Sequence, residues 1–341
     1  MQNNMLIMIR RVVFVAGACA LGLIVAGVLG YKSRYLPMMR TFLSEPHDTY
    51  DVIAAGSSRM YCTLTPIELY RNYNIKAFCL ATQQQPIEVS YTYLKKAIAL
   101  QRPKVVILEM FMFVKREVGS VIAEGVAHDS CDPLPLDWDK VELLLNANFK
   151  GSIEDYVIPF LKYHSRWKEL KGYDFDLSVG RNVNKGYILL SGKISAGLSQ
   201  KSFQDVKLVS LSDDALFWLG KIVRLVKSSG AELVMLLAPY PTDMKDAGRI
   251  KHIAEFAKEN GLMFLNLLER FDEIGLDSEN DFYDRGHLNV FGADKATRFI
   301  GKFLKDHCRF EPVLLDDTQK ARWEDDIAQY DAIRKRAVSG R

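Results

Sequence analysis

A chain of 341 residues is long enough for one large domain or two small ones with a sizeable core. Its 45 Lys and Arg residues nearly balance 42 Asp and Glu, and no basic stretch is interleaved with aromatics, which excludes a nucleic-acid partner of the basic-patch kind. The hydrophobic share of 48% suits a soluble domain, but it is unevenly spread along the chain.

The first element is the uncharged run "VVFVAGACALGLIVAGVLGY", Val12 to Tyr31. At about 1.5 Å per residue it just spans a hydrocarbon core of about 30 Å. Arg10 and Arg11 precede it and favour a cytoplasmic N-terminus, against Lys32, Arg34 and Arg40 on the far side. A cleaved signal peptide is the competing reading, but the run is long for one and "GVLGYKSRY" makes a poor cleavage site. The expectation is an uncleaved single-pass anchor over residues 1–31, with the remainder outside the cytoplasm. Beyond Cys19 in that run, Cys62, Cys79, Cys131 and Cys308 match no metal or dithiol spacing and read as small buried apolar residues.

Residues 32–50 are mixed and polar, a linker by composition. Then "DVIAAGSSRMY" opens a strand with Val52, Ile53 and Ala54, and Gly56 breaks it. Thr65 and Pro66 read as the cap and first position of the helix "TPIELYRNY". "IKAFCLA" from Ile75 is a second strand, "IEVSYTYLKKAIALQ" from Ile87 a helix, and "KVVILEMFMF" from Lys104 a third strand. Such alternation predicts a parallel sheet with helices on both faces. The rhythm stops over about 114–210, a large insertion expected to cover the sheet's active edge. It resumes with Ser212 as a helix cap and Leu216, Leu219, Val223 and Val226 at helical spacing. A fourth strand starts at Ala231, a helix covers Ile250 to Asn260, a fifth strand starts at Leu262, and the last core helix starts at Val290. The α/β domain therefore runs over 51–308. In the tail, 309–341, Ile327, Tyr330 and Ile333 predict a peripheral helix.

Chemistry concentrates at two strand ends. "DFYDRGHLNVFG" follows the fifth strand, and Asp284 and His287 are three residues apart, so one turn of loop or helix lets them face the same way. A carboxylate beside an imidazole fixes its tautomer and stabilises the imidazolium. A serine after the first strand, weak alone, becomes a nucleophile when such a pair takes its proton.

The order Gly-x-Ser early and Asp-x-x-His late, on a five-stranded flavodoxin-like sheet, resembles the SGNH (GDSL-type) hydrolase superfamily. The resemblance covers roughly Asp51 to Phe113 and Ser212 to His307. Matched by position, Gly56 and Ser58 stand at the "GDS" glycine and serine, which implies Ser58 rather than Ser57 as nucleophile and Asp284 and His287 as its partners. Leu288, Asn289 and Gly292 continue the late block, placing Asn289 among the candidate binding residues. The apolar N-terminal run, "GSSR", "YHSRW" at Tyr163 to Trp167, and "FYDRGHLN" resemble the membrane-anchored DltD-like branch. That branch is similar to the D-alanyl transfer protein of teichoic-acid modification and to alginate O-acetylation proteins. It implies a membrane-bound O-acyltransferase as partner, a cell-surface polymer as acceptor of acetyl or D-alanyl groups, and neither metal nor organic cofactor. It also implies that His164 and Arg166 point from the insertion into the cleft.

The sequence departs from the superfamily at the oxyanion hole. "ATQQQP" (Ala81 to Pro86) lacks its glycine and "LEMFMF" (Leu108 to Phe113) its asparagine. The Ser58 N–H remains, and Gln83 and Gln84 are candidate side-chain donors. One missing donor costs about 100- to 1,000-fold in turnover, so transfer, or activity completed by a partner, is expected over efficient hydrolysis. Ester hydrolysis and a non-catalytic polymer-binding or scaffolding role are the alternatives. Plainer local readings stand beside these: Ser58 as a helix cap, Arg59 as an ion-pair residue rather than a substrate carboxylate or phosphate binder, and "YHSRW" as a helix surface anchored by a buried Trp167. Glu109 ends the third strand facing the cleft, without an assigned role.

Overall fold

In the computed structural model, residues 2–30, 33–117, 119–175, 180–309, 311 and 313–340 are described. Five apolar runs form parallel strands: β1 (Val52–Gly56), β2 (Ala77–Ala81), β3 (Val105–Glu109), β4 (Glu232–Leu237) and β5 (Met263–Asn266), in the order β2-β1-β3-β4-β5. Burial on both faces explains why the runs are apolar throughout instead of alternating. The register sets Gly56 opposite Ala81 and Ala55 opposite Leu108, so β2, β1 and β3 end together at one edge.

The N-terminal helix α1 (Gln2–Leu29) contains one apolar stretch, Met5–Leu29, long enough to cross a membrane. It begins earlier than the sequence run suggested, so Arg10 and Arg11 lie within the helix. Tyr31 and Lys32 lie outside the described residues. The expected linker is instead partly helical. In α2 (Leu36–Ser44), Met38, Met39 and Phe42 are buried with Tyr35, at the spacing of one helical stripe. The Phe42 ring meets Phe78 of β2 at 5.2 Å, which makes this segment part of the core.

A short helix α3 (Ser58–Tyr61) starts directly after β1 and precedes α4 (Pro66–Tyr73), the first helix expected. β2 leads through α5 (Ile87–Gln101) to β3. The apolar run around Met110 does not continue the strand: Glu109 Oε1 accepts the Phe111 N–H at 2.8 Å and α6 (Phe111–Lys115) begins. The insertion carries α7 (Glu124–Cys131), α8 (Trp138–Asn146), α9 (Ile153–Val157), α10 (Pro159–Tyr163) and two 3-10 turns, His164–Lys168 and Gly172–Phe175. It then runs extended past the site edge, where Ile188 N–H donates to the Tyr61 carbonyl and Val290 N–H to that of Leu190.

The chain resumes with α11 (Asp213–Ser229), capped by Ser212, then α12 (Met244–Glu259) after β4 and α13 (Phe271–Ile274) after β5. After a short hairpin come α14 (Val290–His307) and α15 (Asp317–Ser339). α4 packs with α14 and α5 with α11; the β1–α4–β2 and β2–α5–β3 crossovers, both right-handed, run in opposite directions along the sheet and put these pairs on opposite faces. The tail helix is pinned more firmly than its apolar spacing implied. It buries Trp323, Asp326 and Tyr330; Trp323 lies 4.4 Å from the Tyr70 ring and Asp326 2.6 Å from the Lys185 ammonium.

Candidate active site

At the end of β1 the sheet is too tight for a side chain. A Cβ on Gly56 would sit 2.5 Å from the Glu109 Cβ, and the φ of +154° suits glycine. Ser57, in extended conformation, caps α3: its hydroxyl accepts the Arg59 N–H and donates to Glu109 Oε2 at 2.8 Å. With Ser57 filling the cap, Ser58 becomes the first helical residue and its hydroxyl is free for other work. Its N–H, an orphan donor of the first helical turn, has no hydrogen-bond acceptor among the described residues.

The late motif folds as an antiparallel hairpin, β6 (Phe282–Asp284) and β7 (His287–Leu288), with Asp284 and His287 as cross-strand partners. The hairpin's two-residue turn is the single turn of loop that their spacing allowed. The cause is local: Asp284 Oδ1 accepts the Gly286 N–H at 2.8 Å, closing an Asx-type turn over Arg285. His287 Nδ1 lies 2.8 Å from both carboxylate oxygens of Asp284, and His287 Nε2 lies 2.8 Å from Ser58 Oγ. With Nδ1–H donating to the carboxylate, Nε2 carries the lone pair that accepts the serine proton.

Burial pushes His287 below the ordinary imidazole value, against the pull of Asp284, and the nearby Arg59 cation pushes the same way as burial. Burial alone would raise the Asp284 carboxyl, but the Gly286 N–H and His287 outweigh it and hold it below the usual range. At neutral pH the pair is therefore a neutral imidazole on an ionised carboxylate, the state that can take a proton.

Arg59 joins the two halves of this arrangement. Its Nη1 donates to the Gly286 carbonyl at 3.2 Å, while the guanidinium carbon lies 3.7 Å from the Phe111 ring centre and 4.9 Å from that of Tyr240. Burial lowers its pKa, partly offset by Glu109. Glu109 is buried and its carboxyl is raised by that burial, partly offset by Arg59 and the N–H of Phe111. Its observed role is to hold the Ser57 turn from behind.

The other candidates lie elsewhere. Gln83 accepts from Arg34 through Oε1 and its N–H donates to the Tyr35 hydroxyl, which ties its loop to the segment before α2. Gln84 lines a separate pocket of about 210 Å³ with Ile87, Met112 and Val121. Asn289 is fully buried; it caps α14 through Phe291 and Gly292 N–H and donates to the Gly192, Asn280 and Phe282 carbonyls. It holds the hairpin instead of a substrate. His164 Nδ1 bonds the Leu161 carbonyl, and Arg166 binds Leu29 and Asp174 at the foot of α1. Trp167 is 64% exposed and anchors nothing. Sequence reasoning passed over Gly286, Phe111 and Tyr240. Only the first left a local signal, a glycine two residues after an aspartate.

No protein-family model and no curated protein matches the chain. Among solved structures it is similar to a protein from Desulfitobacterium hafniense DCB-2 assigned to the lipolytic G-D-S-L family, with a TM-score of 0.37 and 10% identity. That match covers 74% of this chain and 97% of the other.

Proposed function

We propose that the protein is a membrane-anchored, extracytoplasmic serine acyltransferase or acyl-esterase acting on acyl groups of a cell-surface polymer. The observation that carries this reading is the unbroken relay from Ser58 Oγ through His287 to Asp284, at 2.8 Å on each side of the imidazole. Ser58 Oγ attacks the acyl carbonyl carbon while its proton passes to His287 Nε2. The tetrahedral adduct collapses, the leaving alcohol takes that proton, and an acyl-Ser58 ester remains. A hydroxyl of the acceptor then attacks the ester; His287 removes its proton and returns it to Ser58. Asp284 orients the ring and stabilises the imidazolium in both halves. The Ser58 N–H supplies one donor to the oxyanion.

Transfer to a polymer hydroxyl is preferred over transfer to water, because "ATQQQP" and "LEMFMF" lack the glycine and asparagine donors of the oxyanion hole and a membrane O-acyltransferase beside the anchor is the expected source of acyl groups. That same shortage is what favours a second reading, a non-catalytic polymer-binding partner of such an acyltransferase. A fluorophosphonate probe on the full-length chain separates the two. Catalysis predicts a label on Ser58 that Ser58→Ala and His287→Ala both abolish. Absence of label, with surface-polymer acylation unchanged by Ser58→Ala in cells, overturns it.

A further inference from the structure

We propose that the part of the insertion packed around the foot of α1 is a lipid-contacting collar, which seats the domain on the bilayer surface. This rests on the anchor reading above. A helix that merely tethers a domain ends in loose chain, but α1 does not end that way. Its C-terminal end packs against α10 and both 3-10 turns of the insertion, and Leu29 is buried. Arg166 donates to the Leu29 carbonyl at the end of α1 and to that of Gly30 just beyond it, and its other nitrogen is held by the buried Asp174 at 2.5 Å. A cation bonded there satisfies orphan carbonyls and complements the negative end of the helix.

The same elements expose apolar side chains that a domain surrounded by water has no reason to present together. Trp167 is 64% and Phe175 63% exposed, with Phe160 and Leu161 also open. Exposed Lys168 and Lys171 lie among them, the former with its ammonium 5.7 Å from the Trp167 ring. Tryptophan with lysine at the end of an apolar helix is the composition of the headgroup boundary, where rings sit in the interface and ammonium groups reach phosphate. The occupant is therefore a phospholipid surface. The collar also has a consequence for Ser58. Just past the foot of α1, Arg34 donates to the Tyr61 hydroxyl of α3 and to Gln83, and Tyr35 accepts the Gln83 N–H. The helix that carries the nucleophile is thus tied to the point where the chain leaves the bilayer, which holds the cleft close to a membrane-borne acyl donor.

The test uses the full-length chain in phosphatidylcholine vesicles whose acyl chains are brominated near the headgroup. The collar predicts strong tryptophan quenching in the wild type and in Trp138→Phe, and loss of most of it in Trp167→Phe. Phe160→Glu with Phe175→Glu should weaken it as well, with Trp167 still present. Equal quenching in wild type and Trp167→Phe, in a chain that resists alkaline carbonate extraction, overturns the collar and leaves the anchor standing. Release of the chain by carbonate overturns both.

Discussion

Two histidine–aspartate pairs stand out among the described residues, and they have opposite fates. His287 and Asp284 sit on a hairpin at the sheet edge, with a serine hydroxyl 2.8 Å from the free ring nitrogen. His128 and Asp132 sit on and beside α7, one helical turn apart, with Nδ1 3.0 Å from Oδ1. That second ring is buried, stacked on Tyr156 at 4.1 Å, and its Nε2 has no hydrogen-bond partner among the described residues. Tyr163 donates to the same carboxylate at 2.7 Å. A carboxylate on an imidazole is thus not itself a catalytic device. What distinguishes the first pair is a nucleophile on the other nitrogen and side chains partly open to solvent, where the second pair is closed in.

The sharpest way to break this contrast is to remove the nucleophile. Ser58→Ala should lower turnover of an activated acyl ester by ~10⁴-fold or more, and His287→Ala similarly, since residues acting as a unit fail together. Asp284→Asn keeps the shape but turns the ring to the wrong tautomer, and should cost about 10⁴-fold in kcat. Arg59→Met frees the hairpin from the nucleophile turn. A misplacement of ~1 Å costs about 100-fold, so kcat should fall by that order, with KM changing less and Arg59→Lys recovering part of it.

A smaller effect is one of pH. His287 works as the neutral base and its pKa is depressed, so activity is lost only as pH falls through a value below the ordinary imidazole figure of about 6.5. The acidic limb of kcat/KM should therefore lie below that figure. In Arg59→Met it should move upward, because a cation that opposed protonation is gone. The smallest effect on activity belongs to the other pair. His128→Ala should leave ester turnover unchanged but cost about 1–3 kcal/mol in urea unfolding, since it leaves the Asp132 carboxylate, whose side chain is only 8% exposed, short of a partner.

Much of the fold was legible because its signals are local. β1 to β5 follow from short unbroken apolar runs and the main helices between them from apolar residues at helical spacing, which is why the α/β reading and the five-stranded parallel sheet hold. Ser58, Asp284 and His287 were legible as types in a pattern, and the fold brings those three side chains together. Their neighbours were not. Arg59 reaches across 227 positions of sequence to Gly286, and no short-range rule reports a contact at that separation. Gln83 accepts from Arg34, on a segment read as linker, another contact that no local rule announces.

The succession of five strands with the main helices between them, sheet class and the chemical identity of the proposed relay were thus determined by sequence, because each depends on residue type and spacing along one stretch of chain. Tertiary structure decided which serine is free, since only the approach of Glu109 to Ser57 leaves Ser58 uncommitted. It also decided that Asn289 holds backbone and that Trp167 is exposed at the foot of α1. These choices depend on which distant groups arrive to satisfy a polar atom or cover an apolar one, and that is set by the packing of elements against each other rather than by any one of them.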